Sequence, residues 1–213
     1  MKIVIPARRG TKGLPLKNRV LLEDTLSIIP ACYRSSTIVS TDDDFILEKA
    51  MNYEVKVVRR SDDASSDKAS IKSVLMELIK NKEISCNEVI VVLYLTYPER
   101  EWEEVEDVLR FFKRNKSKSL LCRKEVRVSP FLCLLEDHTG LHGTQITPHN
   151  LYRRQDYPTC FEISHYVIAM LASEVEALND NLYNENTFFY KIADKIDIDL
   201  PKDLELYRDK NNS

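Results

Sequence analysis

The chain has 213 residues, 43% hydrophobic and 31% charged, with a formal net charge of −3. This balance fits a folded globular chain and excludes a disordered one, and no run approaches the roughly 18 apolar residues of a membrane span. The small negative charge gives no general attraction to nucleic acid or to an anionic membrane.

In chain order, Ile3-Val4-Ile5 is an apolar run that ends at Pro6 and predicts a buried strand. Thr37-Ile38-Val39-Ser40 predicts a second. One of the Asp residues at 42–44 should cap the helix that places Ile46, Leu47 and Ala50 on one face. Val55–Val58 reads as a strand, and Ile71, Val74, Leu75 and Leu78 have amphipathic helical spacing. Val89-Ile90-Val91-Val92-Leu93, continuous and β-branched, suits the middle of a parallel sheet. Val105, Val108, Leu109 and Phe112 form another helix face, with Trp102 as a packing anchor at its start. Ser119–Cys122 and Tyr166–Met170 read as later strands, and Pro201 opens a last helix. Strand–helix alternation of this kind indicates a three-layer α/β/α Rossmann-like fold with a mostly parallel sheet, and the length fits a single domain over residues 1–213. Residues 130–158 break the alternation with Pro130, Gly140, Gly143, Pro148 and Pro158, and mark an excursion serving as a lid, an arm or an oligomer contact.

Only four glycines are present, against roughly 15 at average usage, so each is expected to meet a backbone need. Five cysteines, with no Cys-x-x-Cys pair, predict buried free thiols in a reducing compartment rather than disulfides or a zinc site. The basic start lacks the layout of a secretory signal, so the expected location is cytoplasmic. His138, His142 and His149 crowd the excursion but have no helical metal-pair spacing.

Charge is distributed unevenly. Residues 1–20 hold Lys2, Arg8, Arg9, Lys12, Lys17 and Arg19 and no acid; residues 194–209 hold Asp194, Asp197, Asp199, Asp203, Glu205 and Asp209. The segment from Pro6 to Asn18 directly follows the first strand, where open α/β sheets bind ligands. Its two glycines, Gly10 and Gly13, let backbone N–H groups turn toward an anion, and Arg8, Lys12 and Lys17 add phosphate-binding cations. The spacing is neither the Walker pattern nor Gly-x-Gly-x-x-Gly. Asp197 and Asp199, two apart, would point to one side of a strand as a hard oxygen site suited to Mg²⁺.

The segment Pro6-Ala7-Arg8-Arg9-Gly10-Thr11-Lys12-Gly13-Leu14-Pro15-Leu16-Lys17-Asn18 resembles the N-terminal signature of the CMP-sialic acid synthetases (acylneuraminate cytidylyltransferases). Val39-Ser40-Thr41-Asp42-Asp43, Arg59-Arg60 with Asp67-Lys68-Ala69-Ser70, and Ile196-Asp197-Ile198-Asp199 with Pro201 and Asp203-Leu204 resemble further blocks of that family in order and spacing. The resemblance implies a nucleotide-diphosphosugar transferase fold and transfer of CMP from CTP to the anomeric hydroxyl of a 2-keto-3-deoxy sugar acid, with pyrophosphate released. It implies that Arg8, Lys12 and Lys17 hold the triphosphate and stabilise its developing charge, and that Ala7, Gly10, Thr11 and Gly13 line the nucleotide site. Asn18 would orient the nucleotide, Arg60 and Ser70 would contact it, and Asp197 and Asp199 would bind Mg²⁺. Tyr94, Arg154 and Gln155 fall in the acceptor blocks, and the family's members are commonly homodimers.

The acceptor blocks also carry departures. The pattern Gln-Pro-Thr-Ser-Pro-x-Arg is here Tyr94-Leu95-Thr96-Tyr97-Pro98-Glu99-Arg100. The pattern Phe-Arg-x-Asn-Gly is Phe161-Glu162-Ile163-Ser164-His165, and an anion at 162 would repel a carboxylate substrate. Three readings follow: a Mg²⁺-dependent cytidylyltransferase, a catalytically impaired CTP-binding regulatory relative, and a nucleic-acid binder. The acidic remainder and the lack of interleaved aromatics in residues 1–20 count against the third.

Overall fold

The structure is a computed structural model describing residues 1–10, 13–61, 64, 69–140 and 142–211. Its elements, in chain order, are β1 (Lys2–Ala7), α1 (Lys17–Ser27), α2 (Ala31–Arg34), β2 (Thr37–Thr41), α3 (Asp44–Met51), β3 (Lys56–Arg59) and α4 (Ile71–Lys80). Then follow β4 (Val89–Val92), α5 (Trp102–Arg114), β5 (Ser119–Glu125), β6 (Leu134–Glu136), β7 (Gly143–Gln145), β8 (Phe161–Leu171), β9 (Phe188–Lys191) and α6 (Pro201–Asn211).

Seven strands form one sheet in the order β3-β2-β1-β4-β8-β5-β9. Alternation along the strands builds two cores. Ile3, Ile5 and Val91 face one layer with Leu22, Ile46 and Val105 of α1, α3 and α5. Val4, Ile90 and Val92 face the other with Val74, Leu75 and Leu78 of α4. The anticipated three layers are therefore present, and Trp102 packs against Tyr33 with ring centroids 5.0 Å apart.

Several local expectations are corrected. β4 is not within a wholly parallel region: it pairs in parallel with β1 and antiparallel with β8. β8 is also antiparallel to β5, so it alone reverses the sheet direction. Its apolar run reads the same in either orientation, so periodicity does not reveal the reversal. β9 was not anticipated; its half-exposed Phe-Phe-Tyr-Lys sequence has no clean alternation. Residues 196–199 form no strand, although Ile198 N–H donates to the Thr96 carbonyl at 2.8 Å. All five cysteines are free, as expected, but only Cys122 is buried. Among the described residues, no helix is long and apolar enough to cross a membrane.

The excursion is a β6–β7 antiparallel hairpin flanked by short 3₁₀ turns at Pro130–Leu132 and Arg154–Asp156. Gly140 sits at φ 70°, in the left-handed region that favours glycine, and supports the hairpin turn. His149 is structural: it contacts the Phe131 carbonyl at 2.7 Å through Nε2 and accepts from the Leu151 N–H through Nδ1.

Two charged groups fix the strand ends. Arg100 is fully buried. Its guanidinium donates to the carbonyls of Tyr166 (2.9 Å) and Tyr94 (2.8 Å), so the turn after β4 winds around it. Asp43 caps α3 by accepting from the Phe45 N–H and takes both ends of the Arg19 fork at 2.7 and 2.9 Å. Burial opposes ionisation of Asp43, but Arg19 and the N–H groups of Phe45 and Ile46 outweigh it and hold the carboxyl below the ordinary aspartate range. A lowered folded-state pKa contributes stability above the unfolded value near ~3.9 and loses it as pH falls through the folded value. Asp43→Asn should lower stability at pH 7 and flatten the loss below pH ~4; urea denaturation across pH 2.5–7 checks it, and an unchanged acid limb contradicts it.

Candidate functional site

The sheet order places the site. From β1 the chain moves outward through β2 to β3, then returns to the other side of β1 at β4. The order reverses between β1 and β4, and ligands in open α/β sheets bind at the carboxyl ends of strands at such a point. A cleft of about 260 Å³ opens there, lined by Pro6, Arg8, Lys17, Asn18, Arg60, Ala69, Ile71, Tyr94, Leu95 and Thr96. These residues come from the ends of β1, β3 and β4 and the starts of α1 and α4. Because β8 runs the other way, its early residues Ser164 and His165 lie at this same edge.

The loop after β1 is tied from several directions. Thr41 donates to the Ala7 carbonyl at 2.7 Å, Asn18 Nδ2 to the Arg8 carbonyl at 2.6 Å, and Arg9 N–H to Asp42 at 2.7 Å. Asn18 thus shapes the loop as well as lining the cleft. Leu16, at φ 57°, turns the chain into α1 through the left-handed region and leaves that helix with no side-chain cap. Such a conformation in a non-glycine residue carries strain of about 1–3 kcal/mol and is commonest at functional sites. The first turn of α1 holds Lys17 and Arg19 and no acid, so its positive dipole end and its cations act together.

Gly13 meets a demand made by the fold: a Cβ there would overlap the Asp199 carbonyl and touch Leu200. The backbone of the basic loop therefore lies directly against the acidic late segment. A Cβ at Gly10 would meet nothing within 4 Å among the described residues, and its φ is not positive, so the expected backbone need is not seen there. Thr11 and Lys12, like Asp67 and Lys68, lie outside the described residues.

Charges converge on the cleft. Lys17, 9% exposed, donates to Asp199 Oδ1 at 2.7 Å, while the Asp199 side chain is 66% exposed. Arg60 is buried and donates through Nε to Ser40, but its Nη2 has no partner among the described residues. Burial pushes the Arg60 pKa down to about 10, with the charge of Asp42 opposing. A buried guanidinium with an unsatisfied nitrogen calls for an anion. Asp197 accepts from the Tyr97 hydroxyl at 2.8 Å. His165 packs on Tyr94 with centroids 5.4 Å apart; burial lowers its pKa, with Asp197 opposing. Burial raises the pKa of the Tyr94 hydroxyl.

The remaining candidates fall elsewhere. Ser70 spends its hydroxyl capping α4, accepting from the Ser73 N–H. Arg154 and Gln155 stand exposed on the excursion, outside the cleft lining, and Arg154 borders a separate cavity of about 490 Å³ with Glu125, Arg127 and Tyr157. Glu162 does not stand as a bare anion at the cleft: it pairs with Lys124 at 3.2 Å, directly across the β5–β8 ladder. Tyr97 and Ser164 also reach the cleft edge, and His165, which opens the late strand, lies near the site beside Tyr94. Their signal was the run of unexpected residues in two blocks, whose meeting in space depends on the reversed β8. Among the described residues, no three His, Cys, Asp or Glu side chains cluster as a metal cage.

The fold and this cleft define an open α/β protein with a cationic cleft at its strand ends. Comparison with known proteins narrows the class. Residues 2–98 match the cytidylyltransferase family. The chain is 25% identical over 206 residues to the N-acylneuraminate cytidylyltransferase of Streptococcus agalactiae serotype V, covering 92% of this chain and 49% of that protein; it spans about half the length of that curated relative. It is 27% identical over 220 residues to the CMP-N,N'-diacetyllegionaminic acid synthase of Legionella pneumophila, covering 95% and 92% of the two chains. In fold it is similar to a CMP:2-keto-3-deoxy-manno-octonic acid synthetase solved with CTP (TM-score 0.70, 14% identity, 99% and 98% coverage). It is also similar to the 4-diphosphocytidyl-2C-methyl-D-erythritol synthase of Anaerococcus prevotii (TM-score 0.66, 14% identity, 100% and 96% coverage). Over residues 2–98 the chain is therefore similar to the cytidylyltransferases.

The two loop glycines give a paired test. Gly13→Ala should destabilise the protein by about 1–3 kcal/mol through overpacking against Asp199, whereas Gly10→Ala should stay within about 0.5 kcal/mol of wild type. Urea midpoints decide it; equal effects would contradict the close approach.

Proposed function

We propose that the protein transfers CMP from CTP to the anomeric hydroxyl of a 2-keto-3-deoxy sugar acid of the sialic-acid type. The observation that carries this is the convergence of Arg8, Lys17 and the unsatisfied Arg60 on one cleft, with Asp197 and Asp199 beside it. The names of the two curated relatives favour a nonulosonic-type acceptor.

The sugar hydroxyl oxygen forms a bond to the α-phosphorus and the α–β bridging P–O bond breaks. Pyrophosphate leaves with the electron pair, and the hydroxyl proton passes to water. Such a step asks the protein for charge neutralisation and alignment rather than covalent participation. Lys17 exchanges Asp199 for the triphosphate, which removes a cation from the carboxylate at the moment the phosphates arrive. Arg60 offers its open nitrogen and Arg8 a cation from the loop, and the resemblance adds Lys12 to them. Asn18 ties the loop down through its bond to the Arg8 carbonyl.

The donor set at Asp197 and Asp199 fits Mg²⁺. Two carboxylates without a third protein ligand suit an ion that keeps water and phosphate oxygens in its shell. When bound there, the ion supplies Lewis-acid neutralisation of phosphate charge.

Leu132, Leu134, Leu135, Ile146 and Tyr152 are exposed on or near the hairpin, an apolar face that a homodimer would cover. A dimer in which one copy's excursion covers the other's cleft would also bring Arg154 and Gln155 to an acceptor. Light scattering should report twice the chain mass; a monomer at micromolar concentration would overturn this part.

The activity is tested by incubating the protein with CTP, Mg²⁺ and a panel of 2-keto sugar acids. Acceptor-dependent pyrophosphate release is expected. Lys17→Ala and Asp199→Asn should each lower it by about a hundredfold or more, the scale of one lost charge-stabilising contact. CTP binding without release for any acceptor would overturn the transferase reading.

A further inference from the structure

Asp197 and Asp199 are held differently. The Asp199 carboxylate is largely solvent-exposed and its recorded partner is the flexible amine of Lys17. Asp197 is half-buried and its carboxylate accepts from a phenol. That phenol is itself fixed. Tyr97 is 3% exposed, meets Tyr166 edge-on with centroids 5.5 Å apart, and lies 5.7 Å from the Arg100 guanidinium. Arg100 cannot swing away, because it also holds the carbonyls of Tyr166 and Tyr94. On the far side, the buried Ser164 hydroxyl donates to the Tyr97 oxygen at 3.3 Å.

We propose that Tyr97 is a positioning residue that sets the direction of the Asp197 carboxylate, with Ser164 setting the direction of the Tyr97 hydroxyl. Ser164 occupies a lone pair of the phenol oxygen, so the phenol proton turns toward Asp197. The Ile198 N–H bond to Thr96 fixes the backbone one residue away, so Asp197 is held at both main chain and side chain. Asp197 is then the fixed member of the carboxylate pair and Asp199 the exchangeable one. Tyr97 and Ser164 are both positions where the chain departs from the pattern it resembles, and they contact each other. The acceptor-side departures are therefore coupled in the structure. Glycine-free β8 supplies Ser164 at the sheet edge only because it runs against its neighbours.

The proposal rests on the reading of Asp197 as a cation ligand, and its test separates the two. Mn²⁺ binding in the presence of CTP is titrated by the electron paramagnetic resonance of the free ion. The proteins compared are wild type, Tyr97→Phe, Ser164→Ala, the double variant and Asp197→Asn. Tyr97→Phe keeps the ring and should weaken Mn²⁺ binding roughly tenfold or more, as loss of an outer-shell partner does. The Mg²⁺ concentration for half-maximal pyrophosphate release should rise by the same factor, while CTP affinity measured in EDTA stays at the wild-type value. Ser164→Ala should move binding the same way by less, and the double variant should be no worse than Tyr97→Phe, because both act through one contact. Wild-type Mn²⁺ binding in Tyr97→Phe and Ser164→Ala, with binding lost in Asp197→Asn, overturns the positioning role alone. Binding retained in Asp197→Asn overturns the ligand reading and the positioning role with it. Should Tyr97→Phe fail to fold, Ser164→Ala carries the same comparison.

Discussion

The site depends on the contact between the chain's basic start and its acidic late segment. Gly13 lies so close to the Asp199 backbone that no side chain fits between them, and Lys17 spans the remaining gap to the Asp199 carboxylate. Two segments about 180 residues apart in sequence are thereby made neighbours, and the Asp199 carboxylate is held at Lys17, one of the cations that line the cleft. The pair joins a nearly buried lysine to an exposed aspartate, so stability is not its main consequence, since ion pairs open to water contribute little. Its consequence is electrostatic: the opposed charges of Lys17 and Asp199 satisfy each other at the cleft.

The rest of the fold holds that contact in place. The switch point between β1 and β4 decides where the cleft opens. Arg100 winds the turn after β4 so that Tyr94 and Tyr97 face the cleft edge and Asp197, and Asp43 locks α1 to the end of β2 through Arg19. Buried arginines without a carboxylate partner are expensive, and both Arg60 and Arg100 have a nitrogen with no partner among the described residues. At Arg60 the unsatisfied nitrogen borders the cleft, where an anion can meet it. At Arg100 the aromatic faces of Tyr97 and Tyr166 take that place.

Much of this was legible in the sequence, and for physical reasons. Continuous β-branched runs and 3–4 spacing are set by burial on two faces of a sheet, so β1, β2, β4, α4 and α5 could be read directly. The cationic loop and the Asp197–Asp199 pair were legible because charge segregation that strong is visible without coordinates. Strand direction was not, because an apolar run carries no polarity; the reversal of β8, and with it the meeting of Ser164 with Tyr97 and of His165 with Tyr94, stayed hidden. Glu162 looked repulsive because sequence shows a charge but not its cross-strand partner, Lys124. The strand expected to carry Asp197 and Asp199 is absent, because that segment joins no ladder and Ile198 N–H donates to the Thr96 carbonyl instead. Gly10 shows the opposite failure: scarcity alone did not make it structurally necessary.

The central claim is that the Lys17–Asp199 contact marks the place of the triphosphate. A crystal structure with CTP and Mg²⁺ tests it most directly. The phosphates should lie at the start of α1 among Arg8, Lys17 and Arg60, with Lys17 turned from Asp199 to a phosphate oxygen. A nucleotide bound instead in the cavity beneath the excursion, or one that leaves the Lys17–Asp199 pair intact, would contradict it.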